Sequence, residues 1–277
     1  MRNSVKALVC GVALALSAGL TGGAAQAASA DPIPKVKALI ANPIYRVGAF
    51  PLKTCEEGRY SRGDVAGAQA YLEGLLDCLN TTWSKQFKKA GLKFKEPKFA
   101  IAQRIGDPIG RCGKIDNPAM LAVYCHLDQT FTVLLNPDAL LDPDDMTLMG
   151  VLAHEYGHHV QNQAGIWKAY AYGKYTDNTW YEISRRTELQ ADCWAGAFIG
   201  SVWPSLGRSK ADFKDMAEHE LGGTSDAVTG YGNSPDLITG SPTHGRLTSQ
   251  RYWLYRGFTK PEPGSCNTWT ASKKRVA

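Results

Sequence analysis

Apolar side chains recur at helical spacing along residues 64–90, at Leu72, Leu75, Leu76, Leu79, Trp83 and Phe87, which predicts a helix with one buried face. Over residues 99–105 and again over 121–135 the pattern shifts to β-branched and aromatic side chains. Short antiparallel strands are predicted there, with a turn at Asp128-Gln129 between two of them. Asp142-Pro143-Asp144-Asp145 then has the form of a helix start, with proline in the first turn and carboxylates near the positive end of the dipole. That helix should run to about Gln163, ahead of Gly165. Further helices fit residues 181–199, closed by Gly200, and the stretches 210–221 and 245–256. Between the last two, residues 222–242 are rich in Gly, Ser, Thr and Asp and contain Pro235, so they read as a loop. The chain shows no internal repeat. The elements add up to an α+β protein, mainly helical, with a small antiparallel or mixed sheet.

Composition sets the scale of this picture. With 277 residues, 44% hydrophobic and 21% charged, the chain is that of a globular protein and not of a disordered, collagenous or coiled-coil one. A core of this size needs no outside help to be stable. Residues 1–30 have the form of a secretory signal peptide. Arg2 and Lys6 precede an apolar run to about Leu20, and small residues follow in Ala25-Gln26-Ala27 and Ala28-Ser29-Ala30. The run is shorter than the roughly 20 residues that cross a bilayer, so cleavage and export are expected, with no stable membrane insertion afterwards. Removing Arg2 and Lys6 leaves 29 basic residues against 26 acidic ones, a net charge of +3, with no long basic run. So small an excess gives no reason to expect nucleic acid as a partner.

Cys10 lies within the apolar run and should leave with it, which leaves Cys55, Cys78, Cys112, Cys125, Cys193 and Cys266. An even number in an exported chain favours three disulfides. Six cysteines allow 15 connectivities. Neighbour order alone prefers 55 with 78, 112 with 125 and 193 with 266. Residues 31–63 form an irregular N-terminal extension, and residues 64–277 form the main domain. The extension is a candidate activation peptide by position, and Cys55 is the thiol in it that could cap a metal, although the even count favours a disulfide.

The chemistry is concentrated in two short segments. His154-Glu155-Tyr156-Gly157-His158 is an HExxH pattern, and two histidines four apart on a helix share one face and can hold one zinc ion. Glu155, rotated about 100° from His154, is placed to reach water beside the metal and not the metal itself. A catalytic zinc keeps three protein ligands and one open position. Thirty residues further on, Glu188-Leu189-Gln190-Ala191-Asp192 sets two carboxylates four apart on the next helix. Glu188 can be the third ligand, and Asp192, one turn later, can accept the free N–H of a ligand histidine. Ala191, Ala195 and Gly196 are small enough for the two helices to approach closely. His159 is rotated off the ligand face, which suits packing or hydrogen bonding better than metal binding.

The segments HEYGHHVQ (154–161), ELQADCWAG (188–196) and THGRLTSQRYW (243–253) together resemble the bacterial family of putative neutral zinc metallopeptidases, and the likeness extends over most of residues 64–258. The resemblance implies a zincin-like fold of the gluzincin type, with a small sheet packed on the HExxH helix. It implies one Zn2+ per chain at His154, His158 and Glu188, and Glu155 as general base. It further implies that the strand before the active helix, residues 130–135, is the edge that pairs with an extended substrate. His244 is a candidate for stabilising the developing oxyanion, as are Tyr170, Tyr172, Tyr175 and Tyr181. The leading expectation is a secreted zinc endopeptidase acting on a peptide or protein. An amidase or peptidase of cell-envelope peptides stands as an alternative, and so does a non-catalytic binding protein on the same scaffold. An intact Glu155 speaks against the last, because a structural zinc needs no base.

Overall fold

The computed structural model describes residues 33–51, 54–116, 121–136, 146–220 and 243–277, with the side chains of residues 219 and 220 excepted. The expected signal peptide, the helix start expected at 142–145 and the loop expected at 222–242 lie outside the described residues. A short helix α1 (Lys37–Ile40) and a 3-10 turn (Pro43–Arg46) lead into the long helix α2 (Val65–Ala90). Asp64 caps α2 by accepting the Gly67 N–H at 2.9 Å, and Gly91 ends it in the left-handed conformation. All six apolar positions predicted for its inner face are buried. Cys55 is bonded to Cys78 on this helix, and Leu39, Ile44 and Phe50 of the N-terminal extension lie in the same core.

Three strands follow, β1 (Lys98–Ala102), β2 (Ala122–Cys125) and β3 (Thr130–Leu134), in the sheet order β1-β3-β2. β2 and β3 form the predicted antiparallel pair, with Gln129 of the turn at φ 61°. β1 departs from the antiparallel expectation and pairs with β3 in parallel, Lys98 opposite Thr130 and Ala102 opposite Leu134. β2 lies on the side of β3 opposite β1. The strand that precedes the active helix is therefore central and wholly buried, which corrects its expected place at the edge. The edge strand next to the helices is β2. Cys112 is bonded to Cys125 at its end, and a small second core of Ala102, Ile109, Ile115 and Leu134 sits under the connection between β1 and β2.

Helix α3 (Thr147–Gln163) carries the HExxH segment. Its buried residues lie all round it because it is covered on several sides. The Tyr156 hydroxyl donates to Asn80 of α2 at 2.6 Å, and the sheet and the following helices close the other sides. After α4 (Ile166–Tyr170) comes α5 (Asp177–Leu206), which is longer at both ends than the sequence pattern predicts. Gly200 does not end it, and Gly207, left-handed at φ 65°, does. Gly200 is a contact residue, since a Cβ there would collide with the backbone of Phe258. Helix α6 (Lys210–Asp215) continues as a π-helical turn (Met216–Glu220), and α7 (Leu247–Thr259) packs along α5. The two backbones meet at three glycines. A Cβ on Gly196 would run into the Leu254 carbonyl and one on Gly257 into the Cys193 carbonyl, so Gly196 serves α7 and not the contact between α3 and α5. Cys193 is bonded to Cys266, just beyond α7.

His159 joins helix and sheet. Its Nε2–H donates to the Lys95 carbonyl at 2.7 Å, and its Nδ1 accepts from the Tyr124 hydroxyl at 3.1 Å. Burial pushes its pKa down from 6.5 to about 4, against the Lys95 hydrogen bond.

Two predictions follow from this packing. Gly257→Ala gains about 1 kcal/mol of helix propensity but should lose about 2 kcal/mol net, because the carbonyl of Cys193 is rigid backbone. Urea unfolding measures it, and an unchanged or raised midpoint would contradict the contact. For His159, an unfolded chain takes up a proton below pH 6.5 while the native one resists until about pH 4. Stability should therefore fall as pH drops through that window, by up to about 3 kcal/mol. His159→Gln, compared with wild type in chelator, should lack this part of the slope, and parallel profiles would refute it.

Candidate metal centre

A Cβ on Gly157 of α3 would lie 2.9 Å from the Cα of Ala191 on α5, so the two helices cross with almost no side chain between them. This closeness brings the carboxylates of α5 onto the histidine face of α3. Glu188 Oε2 lies 3.3 Å from His154 Nε2 and 3.1 Å from His158 Nε2. These three side chains can offer ligand atoms all within 4.8 Å of one another. They are 14%, 10% and 19% exposed, which shields them from bulk water while leaving a way in.

The outward nitrogens of both rings are also held. Asp192 Oδ1 accepts from His154 Nδ1 at 2.7 Å, and Gln161 Oε1 accepts from His158 Nδ1 at 2.9 Å. Each ring thereby keeps its Nε2 lone pair for the space beside Glu188, the arrangement a metal ligand requires. Glu155, the neighbour of His154, points to the sheet, and its Oε2 accepts the backbone N–H of Tyr124 on β2 at 2.9 Å. His244, on the approach to α7, sets its Nε2 3.6 Å from Glu188 Oε2 and its Nδ1 2.9 Å from the Thr243 hydroxyl.

Electrostatics show what the cluster wants. Burial disfavours a charged His154, but its hydrogen bonds to Asp192 and Glu188 outweigh this and raise its pKa well above the usual histidine range. His158 is raised too, burial being overcome by the charge of Glu188. Burial would push the Glu188 carboxyl up, yet His158 and His244 hold it well below its usual range. Glu155, Glu188 and Asp192 thus draw positive charge onto two imidazoles. A divalent cation at the three donor atoms would supply that charge, and imidazole and carboxylate donors suit zinc.

The structure brings together His154, Glu155, His158, Glu188, Asp192 and His244. The Tyr170 hydroxyl is buried and accepts from Thr187 at 3.2 Å, whereas Tyr172 is 87% exposed and Tyr181 is on the surface. Two residues of the site escape a reading of the motifs, Tyr124 and Gln161. Gln161 lies three positions after His158, a spacing that shares a helix face, so its signal was present but uninformative by residue type. The Tyr124 contact is made by backbone and leaves no mark in the sequence.

Two histidines of one helix and a glutamate of the next, backed by an aspartate, form a donor cluster compatible with a zinc site. The chain belongs to the family described as Putative neutral zinc metallopeptidase, whose model matches residues 59–269. It is similar to the uncharacterised Escherichia coli K12 protein YpfJ, 31% identical over 216 residues that cover 74% of this chain and 72% of YpfJ. It is also similar to the uncharacterised proteins Rv2575 of Mycobacterium tuberculosis and Mb2605 of Mycobacterium bovis, each 29% identical over 133 residues and 44% of both chains. No solved structure matches the chain.

Asp192→Ala frees the Nδ1 of His154 and should weaken zinc binding about 10- to 100-fold with the fold intact. Competition against a chelator of known affinity measures this, and unchanged affinity would remove Asp192 from the site.

Proposed function

We propose that this protein is an exported zinc metallopeptidase that hydrolyses peptide bonds of a peptide or protein substrate. The observation that carries the reading is the position of Glu155. It stands beside a three-donor cluster and has one carboxylate oxygen tied to the β2 backbone, which leaves Oε1 to handle protons. Zinc held by His154, His158 and Glu188 would supply Lewis acidity toward a carbonyl and toward water. Glu155 then accepts a proton from the attacking water and returns it to the leaving nitrogen. His244, one-third exposed and adjacent to Glu188, would donate a hydrogen bond to the developing oxyanion. β2 is the sheet edge beside Glu155 and suits an extended substrate backbone. Export is supported by three disulfides. Among the described residues no helix is long and apolar enough to cross a membrane.

The test pairs the zinc content of the purified mature protein with cleavage of a mixed peptide library by wild type and by Glu155→Gln. One zinc per chain in both, with turnover at least about 100-fold lower in the variant, is expected. Equal turnover in both would remove Glu155 as the base. Zinc without cleavage by wild type would overturn the general peptidase reading in favour of envelope peptides or a binding role.

A further inference from the structure

The two ligand histidines are supported by different chemistry. His154 leans on a carboxylate, whereas His158 leans on the side-chain amide of Gln161, itself fully buried. The Gln161 Nε2 donates to the Thr187 carbonyl at 2.8 Å and to Gln190 Oε1 at 3.2 Å. Gln190, also fully buried, donates from its own Nε2 to the Cys266 carbonyl at 3.0 Å and to the Tyr45 hydroxyl at 2.8 Å. Each amide has two N–H groups, and all four are used.

The polarity of this chain of bonds follows from its ends. The carbonyls of Thr187 and Cys266 can only accept, so both NH2 groups must face them. Gln161 is then forced to present its oxygen to His158 Nδ1, which must carry the hydrogen, and the lone pair of Nε2 is left facing Glu188. Turning either amide over would set an oxygen against a carbonyl in a buried place, leaving both acceptors without a donor. An amide also answers the charge problem. Glu155, Glu188 and Asp192 already surround the donors, and a fourth buried carboxylate at position 161 would add like charge that a neutral acceptor avoids.

We infer that Gln161 and Gln190 form a polarised amide relay that sets the tautomer and orientation of His158 for metal binding, anchoring it to the Cys266 backbone and to Tyr45 of the N-terminal extension. They are positioning residues and touch neither substrate nor metal. The inference rests on the reading of His154, His158 and Glu188 as the zinc site.

The test measures zinc affinity by chelator competition on the full mature chain, for wild type, Gln161→Met and Gln190→Met. Near-ultraviolet circular dichroism and the thermal midpoint in chelator check folding. Gln161→Met fills the same space without an acceptor and should weaken zinc binding about 10- to 100-fold. Gln190→Met breaks the far end and should weaken binding several-fold. Imidazole nitrogen NMR of the zinc-loaded protein should show a His158 Nδ1 proton that exchanges faster with solvent in Gln161→Met than in wild type. A folded Gln161→Met within threefold of wild type would overturn the relay. If Gln161→Met does not fold, Gln190→Met decides, and unchanged affinity there is equally fatal. Failure of wild type to bind zinc would instead defeat the site assignment itself.

Discussion

Everything at the site depends on how closely α3 and α5 cross. A helix pair separated by ordinary side chains has its axes 8–10 Å apart, and larger side chains at the crossing would push a carboxylate on one helix out of reach of imidazoles on the other. Here Gly157 lies against the backbone of Ala191, so nothing but a methyl group occupies the crossing. The glycine within HEYGH is therefore part of the metal site although it carries no donor. Three residues to one side of Ala191 stands Glu188, and one residue to the other stands Asp192. Both reach His154 from the same helix.

The second consequence is that α5 must be held as firmly from its other side. Gly196, Gly200 and Gly257 let α7 lie against it backbone to backbone. The Cys193–Cys266 bond fastens the segment after α7 to it one residue from Asp192. Arg186, buried and paired with Glu182, donates to the carbonyls of Thr268 and Ala271 in that same segment. The carboxylate helix is clamped between the histidine helix and the C-terminal segment. Such support keeps ligand atoms converging when their mutual repulsion would spread them.

What the sequence made legible was local. The HExxH and ExxxD spacings, the apolar face of α2 and the strand turn at Asp128-Gln129 are all relations between residues a few positions apart, which helix and strand geometry translates directly. Disulfide pairing by neighbour order coincides with the bonds in the structure, and two of those bonds span only 23 and 13 residues. What stayed hidden was set by distant contacts. Gly200 looks like a helix end and is a packing residue, because the partner that needs it, Phe258, is far along the chain. The parallel pairing of β1 with β3 joins residues 32 positions apart, Lys98 with Thr130. Gln161 and Gln190 have the residue type of any polar position, and only their enclosure gives them a direction.

The same contacts bear on the N-terminal extension. A segment that masks a metal must approach the Nε2 side of the histidines, where ligand atoms converge. The extension arrives from the opposite side. Tyr45 meets Gln190, which meets Gln161, which meets the Nδ1 of His158. Asn42 donates to the Ala164 carbonyl at the end of α3, and Leu39 and Ile44 are completely buried in the common core. Cys55, the thiol that could have capped a metal, is bonded to Cys78. Residues 33–51 therefore support the back of the site. Their loss would expose apolar surface and free the far end of the amide chain, which makes the segment a part of the folded unit and not a cover over it.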